Sequence, residues 1–204
     1  MIIKCYNETH PYLLFIDIEF NNKTLVQFAG LLFTRIDSDG TYQLKSSCNH
    51  YVTTKVCYPF MEYTSITNTF LEQNGISLSD LRENVFEFLK DIDLKDVLLI
   101  SHGLKNDRII LQSNNLEMSY ITSNNTKRPI DGYCTFNNAK RILGREKHLS
   151  VSDLCEECGY YLHHAHNAFN DVWAEVAIFT YLRKIEEQQR LEALECLNKK
   201  GDKE

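Results

Sequence analysis

The chain has 204 residues, enough for one well-buried domain and too few for two ordinary ones. With 43% hydrophobic and 25% charged residues and only 8 glycines and 3 prolines, the composition excludes a fibrous or low-complexity polymer. A net charge of −6 argues against a protein that coats long nucleic acid, because such proteins present a broad basic surface to the phosphates; a short terminal stretch of nucleic acid remains compatible with it.

In chain order, residues 12–20 (YLLFIDIEF) are apolar, branched and aromatic, and Asn21-Asn22-Lys23 ends the run, which predicts a strand with two acids inside it. Residues 25–36 and 41–52 flank Asp37-Ser38-Asp39-Gly40, a hairpin-turn signal, so the opening reads as a three-stranded antiparallel meander. The period then changes. Leu78, Leu81, Val85, Phe88 and Leu89 recur at helical spacing, with Ser79 as the expected cap. Residues 96–101 (DVLLIS) read as a buried strand and 105–112 as the start of a helix. Residues 134–143 and 150–158 read as shorter helices, and 168–185 as a long one striped by Phe169, Val172, Trp173, Val176, Phe179 and Tyr181. The remainder is charged and helix-prone, which gives an expected division into a domain at 1–182 and a tail at 183–204. Strands followed by alternating strands and helices predict an α/β fold, a mixed sheet covered by helices.

Asp17 and Glu19 are two apart in a strand, so both side chains leave the same face. Carboxylates inside an apolar run repel each other and lose hydration unless a cation sits between them, and a hard divalent ion is the usual partner. Asp37 with Asp39 and Asp91 with Asp93 share the spacing but lie in polar stretches, so the apolar setting, rather than the interval, singles out Asp17 and Glu19. Asp107 follows a buried strand on its C-terminal side, where open α/β sheets bind ligands. His166 and Asp171 bracket the start of the last long helix, with Asn167 as the expected N-cap. Their five-residue interval also separates His102 from Asp107 and His148 from Asp153, so order along the chain carries the argument.

In that order, FIDIEF, SHGLKNDRIIL and HNAFNDVWA resemble the three motifs of the DEDDh 3′-to-5′ exonuclease superfamily, which includes ribonuclease T, oligoribonuclease and the proofreading subunit of bacterial replicative polymerase. The resemblance spans roughly residues 12–182, with TSIT at 64–67 and LSVSDLCEECGY also similar. It implies a ribonuclease H-like mixed sheet in which the antiparallel meander is joined by parallel strands. It implies that Asp17, Glu19, Asp107 and Asp171 bind two Mg2+ or Mn2+ ions, with His166 as general base, in a two-metal hydrolysis. The substrate implied is a single-stranded nucleic acid 3′ end or a short oligonucleotide, released as 5′-mononucleotides; Phe20, Thr67, His102 and Lys105 are the candidate substrate contacts. Relatives include monomers and homodimers, and either is compatible. Two departures stand out: Gly103 and Asn106 replace an asparagine and an aromatic residue in the second motif, and Phe20 replaces a frequent threonine in the first. Phe20 is expected either to stack on the terminal base or to belong to the core. A non-catalytic binding module that keeps the fold is the alternative, although such a module has no need of four converging carboxylates.

Cys155-x-x-Cys158 near His163, His164 and His166 suggests zinc, but four regularly spaced ligands are lacking, and half-buried thiols are the expectation. Seven irregularly spaced cysteines read as reduced thiols of a cytoplasmic protein, and no apolar run is long enough to span a bilayer. Lys105, Arg108, Lys140, Arg141, Arg145 and Lys147 are candidate phosphate contacts.

Overall fold

The computed structural model describes residues 1–201, and side chains up to residue 198. A short edge strand, β1 (Ile2–Lys4), precedes the meander of β2 (Tyr12–Asn21), β3 (Thr24–Arg35) and β4 (Thr41–Tyr51). Three helices follow: α1 (Tyr58–Thr64), α2 (Asn68–Asn74) and α3 (Leu78–Leu89). Next come β5 (Val97–Ser101), α4 (Leu104–Ser113), the hairpin of β6 (Ser119–Ile121) and β7 (Lys127–Pro129), and β8 (Asp131–Cys134). Three more helices close the chain: α5 (Thr135–Leu143), α6 (Val151–Cys158) and α7 (Ala168–Gly201).

The main sheet runs β1-β4-β3-β2-β5-β8. β1 to β4 pair antiparallel, whereas β2, β5 and β8 pair parallel, so the mixed α/β sheet read from the sequence is present. The central strands are buried on both faces: nine consecutive residues of β3 and all five of β5 are buried, whereas β8 at the sheet edge buries one of its four.

Strand alternation on β2 sorts its side chains onto two cores. Leu13 and Phe15 point toward α5, α6 and α7, where Phe15 meets Phe179 edge-on at 5.5 Å between ring centroids. Leu14, Ile16 and Ile18 point to the opposite side, against α3 and α4. Asp17 and Glu19 share the parity of Leu13 and Phe15, so they face the α7 layer.

Several local expectations change. The meander gains β1 as a fourth strand, held by only three residue pairs with β4. Ser77, rather than Ser79, caps α3 by accepting the Asp80 N–H at 3.1 Å. Helices α1 and α2 and the β6–β7 hairpin occupy stretches where the sequence shows no apolar period long enough to mark them. The long helix does not stop at 185 but runs unbroken to 201, because side chains past 182 still find partners: Arg183 bonds Glu8 at 3.3 Å and Gln189 donates to the Ile142 carbonyl at 3.0 Å. Among the described residues, no helix is long and apolar enough to cross a membrane.

Candidate metal centre

The centre forms where β2 outruns its parallel neighbour. β2 pairs with β5 only from Tyr12 to Phe15, so Asp17 and Glu19 project beyond the end of β5, with β3 alone alongside at Ala29 and Gln27. The gap next to them is filled by the turn from β5 into α4 and by the N-terminal half of α7. This is the carboxyl end of the parallel strands, where such sheets present ligand sites.

Each acid has a local reason to stay in place. Asp107, 8% exposed, lies in the first turn of α4, where the helix dipole favours negative charge, and accepts a hydrogen bond from the Ser101 hydroxyl on Oδ2. Gly103 makes that turn with φ +108°, a backbone angle that excludes most side chains. The glycine that departs from the superfamily pattern is thus required by the local backbone. Asp171, 7% exposed, accepts the His166 N–H at 2.9 Å, and Asn167 caps the helix by accepting from Phe169 N–H at 3.1 Å, as expected.

Gln27, a single amide inside the apolar run of β3, pins this helix end to the sheet beside Glu19. Its Oε1 accepts the Ala168 N–H at 3.1 Å, while its Nε2 donates to Asn49 at 2.9 Å and Asn167 at 3.4 Å. A lone polar residue in the apolar run LVQFAGLLF is the sequence signal for this contact.

One ligand atom from each of Glu19, His166 and Asp171 lies within 4.8 Å of the other two. His166 therefore stands with the acids rather than apart from them. Its backbone adopts φ +67°, uncommon for a residue with a side chain, and its ring stacks on Tyr63 of α1, with centroids 3.6 Å apart and planes inclined by 29°. Tyr63 was not marked by the sequence, since α1 itself was not.

The electrostatics show what the arrangement lacks. Burial, then the charges of Asp171, Glu19 and Asp107, push Asp17 well above the usual carboxylate range. Burial and the charges of Asp171 and Asp107 raise Glu19 to about 7. Burial lifts Asp107 to about 6 against the bond from Ser101, and Asp171 to about 6 against the backbone bonds from His166 and Asn167. A fifth acid, Glu175 of α7, is wholly buried beside them and is also pushed well up, by burial and by Asp17, Asp107 and Asp171. Among the described residues, the buried carboxylate oxygens without a hydrogen-bond partner are Asp171 Oδ1 and Glu175 Oε2. Buried polar oxygens are normally partnered, and converging, unsatisfied carboxylates are the donor set of a hard divalent cation.

The other expected residues fall as follows. Phe20 follows a register shift at the end of β2 and is 39% exposed beside the acids. Thr67 caps α2 by accepting the Phe70 N–H at 3.1 Å. The His102 ring is committed to Thr135 Oγ1 at 2.9 Å and the Leu149 carbonyl at 3.0 Å, and burial, reinforced by His148, lowers its pKa to about 4. Lys105 is exposed on the first turn of α4. Arg108 donates to the Ile130 carbonyl at 2.6 Å, and Arg141 and Arg145 pair with Glu186 and Glu157. Cys155 and Cys158 are free thiols packed on the α7 side of the core.

By sequence alone, the chain matches no protein-family model and no curated protein. Solved structures match it by fold. The nuclease domain of 3'hExo, described as a DEDDh family member bound to rAMP, is 13% identical with a TM-score of 0.63; the match covers 88% of this chain and 94% of that one. Exonuclease X in complex with 5′ overhanging duplex DNA is 17% identical with a TM-score of 0.59, over 84% of this chain and 91% of that one. Cell-death related nuclease 4 is 15% identical with a TM-score of 0.62, and this match covers 86% of this chain but 64% of that longer one. The fold is that of the DEDDh-type exonucleases, as the three motifs implied.

Proposed function

We propose that this protein is a metal-dependent 3′-to-5′ exonuclease that hydrolyses 3′-terminal phosphodiester bonds of single-stranded RNA, DNA or short oligonucleotides. The observation that carries the reading is the convergence of Glu19, His166 and Asp171 within 4.8 Å, next to Asp17 and Asp107, on the exonuclease fold.

In this reading Asp17, Glu19, Asp107 and Asp171 hold two Mg2+ or Mn2+ ions, cations that suit an all-oxygen donor set. When bound, such ions acidify the attacking water and stabilise the leaving 3′ oxygen. His166 accepts the proton of that water on a ring nitrogen; burial lowers its pKa, so the ring is neutral and able to accept at pH 7. Asp171 fixes the His166 backbone and Tyr63 fixes its ring. The water oxygen bonds to phosphorus as the P–O3′ bond breaks, and the departing O3′ takes a proton from solvent, leaving a 3′-hydroxyl on the shortened strand and a free 5′-mononucleotide. Phe20, and Lys105 on the rim, offer a face for the terminal base and a charge for a phosphate. His102 and Thr67 act through the backbone they brace. The catalytic unit is residues 1–182, with 183–204 as a charged extension, working in the cytoplasm as seven free thiols suggest.

The test is digestion of 5′-labelled RNA and DNA oligonucleotides with magnesium, manganese or chelator. The expected result is a ladder of single-nucleotide steps from the 3′ end that requires the cation and slows about 10²–10⁴-fold in His166→Ala. A preparation inert with both cations on both polymers would overturn the reading.

A further inference from the structure

Glu175 lies outside the three motifs, yet it is the most deeply buried acid of the centre, with 0% of its surface exposed. It stands one helical turn beyond Asp171 on the same face of α7. Its two oxygens have different surroundings. Oε1 accepts the His102 N–H at 2.6 Å, at the junction of β5 and α4 from which Ser101 and Asp107 project. Oε2 is buried and, among the described residues, has no hydrogen-bond partner.

A purely structural carboxyl in a core would have both oxygens satisfied. Oε2 instead finds no donor among the described residues. A fully buried carboxyl with one oxygen anchored to the β5–α4 junction and the other left open beside the acids of the centre is the arrangement a bound cation completes.

We propose that Glu175 is a fifth acidic donor of the metal centre. Its Oε2 would help hold a divalent cation at the centre, and its Oε1 locks the β5–α4 junction that carries Asp107. The proposal rests on the metal-centre reading given above. A fifth carboxylate lets the protein fill the centre at a lower free cation concentration than four would allow.

The experiment is calorimetric titration of Mn2+ and of Mg2+ into chelator-stripped full-length protein at pH 8, comparing wild type, Glu175→Gln and Asp17→Asn, with melting curves in chelator. Glutamine keeps the size and the acceptor for the His102 N–H but removes the charge. Glu175→Gln is expected to weaken cation binding by at least about tenfold, the scale seen when residues supporting a metal are altered, while its melting temperature in chelator stays level or rises. Wild-type affinity in Glu175→Gln with lost affinity in Asp17→Asn would overturn the fifth donor alone. Wild-type affinity in both would overturn the metal centre as well. If Glu175→Gln does not fold, Glu175→Asp replaces it: weakened binding by a folded protein supports the proposal, and unchanged binding overturns it.

Discussion

The turn between β3 and β4 and the end of β2 each carry two acids two residues apart, and the carboxyls behave in opposite ways. In the turn, Asp37 Oδ1 accepts the N–H groups of Asp39 and Thr41, each at 2.9 Å, and bonds from the Thr41 side chain and backbone hold its pKa below the usual range. On β2, burial and neighbouring charges drive Asp17 and Glu19 upward. Identical spacing thus gives a satisfied turn in one place and an unsatisfied cluster in the other. The difference comes from what the chain brings to them: in the turn, backbone donors two and four residues away; on β2, other acids from α4 and α7. The same lesson holds for the three His-x4-Asp intervals. The His102 ring braces Thr135 and Leu149, Asp153 completes the Ser150 capping box of α6, and only in the third do the two residues bond each other.

The largest expected effect comes from neutralising one member of each pair. Asp17→Asn should abolish cation binding at the centre and cut the exonuclease rate. A metal ion contributes several kcal/mol to such a transition state, and about 1.4 kcal/mol corresponds to a factor of ten, so the loss should be roughly 10³-fold or more. Asp37→Asn should leave rate and cation affinity unchanged. Rates on a labelled oligonucleotide and cation titrations of both variants check the contrast, and an equal loss in the two would break it.

The part of this contrast visible in the sequence was the apolar setting of Asp17 and Glu19, which fixes their face once β2 is a strand. The mixed character of the sheet was also visible, because a meander precedes the buried run of β5, whereas the edge strands β1 and β8 were not. What the sequence did not show are contacts between distant segments. Glu175 looks like an ordinary helix acid until the packing of α7 against β2 buries it. Gln27 looks like a lone polar residue until it meets the backbone of Ala168. His102, marked as a substrate contact by its motif, spends both ring nitrogens on residues 33 and 47 positions away. Helices α1 and α2 have seven residues each and too few buried positions to show a period, so Tyr63 was hidden with them.

A second expected effect reads the same contrast as stability. The raised groups, Glu19 at about 7 and Asp107 and Asp171 at about 6, sit above their ordinary 4.5 and 3.8. Between those limits the cation-free folded chain holds protons that the unfolded chain has released, so these groups make stability fall as pH rises from about 4 to about 7. Asp37 works in the other direction: its lowered pKa adds stability above 3.8 that is lost as pH falls. In chelator the protein should therefore melt at a lower temperature at pH 8 than at pH 5. Magnesium should narrow the gap, and Asp17→Asn should flatten it. A wild-type melting temperature in chelator that rises steadily from pH 5 to pH 8 would show that the cluster is not the charged strain inferred here.

The smallest effect tests whether the contrast between satisfied and unsatisfied groups extends to the aromatic residues around the acids. Phe20 and Tyr63 are both exposed, at 39% and 62%, but Tyr63 already has a partner in the His166 ring, whereas the register shift after Glu19 leaves Phe20 at the rim. A face that is still open can bind a base; one already stacked can only hold its partner. Phe20→Ala should thus weaken capture of the 3′ end by about 1–3 kcal/mol, the scale of base stacking on an aromatic ring, and raise KM with kcat nearly unchanged. Tyr63→Ala should lower kcat and alter its pH profile, because the His166 ring is released, and Tyr63→Phe should restore both. Steady-state kinetics on a short oligonucleotide separate the two. If Phe20→Ala leaves KM untouched, the ring serves only to cover the end of β2, and the aromatic rim follows packing rather than substrate.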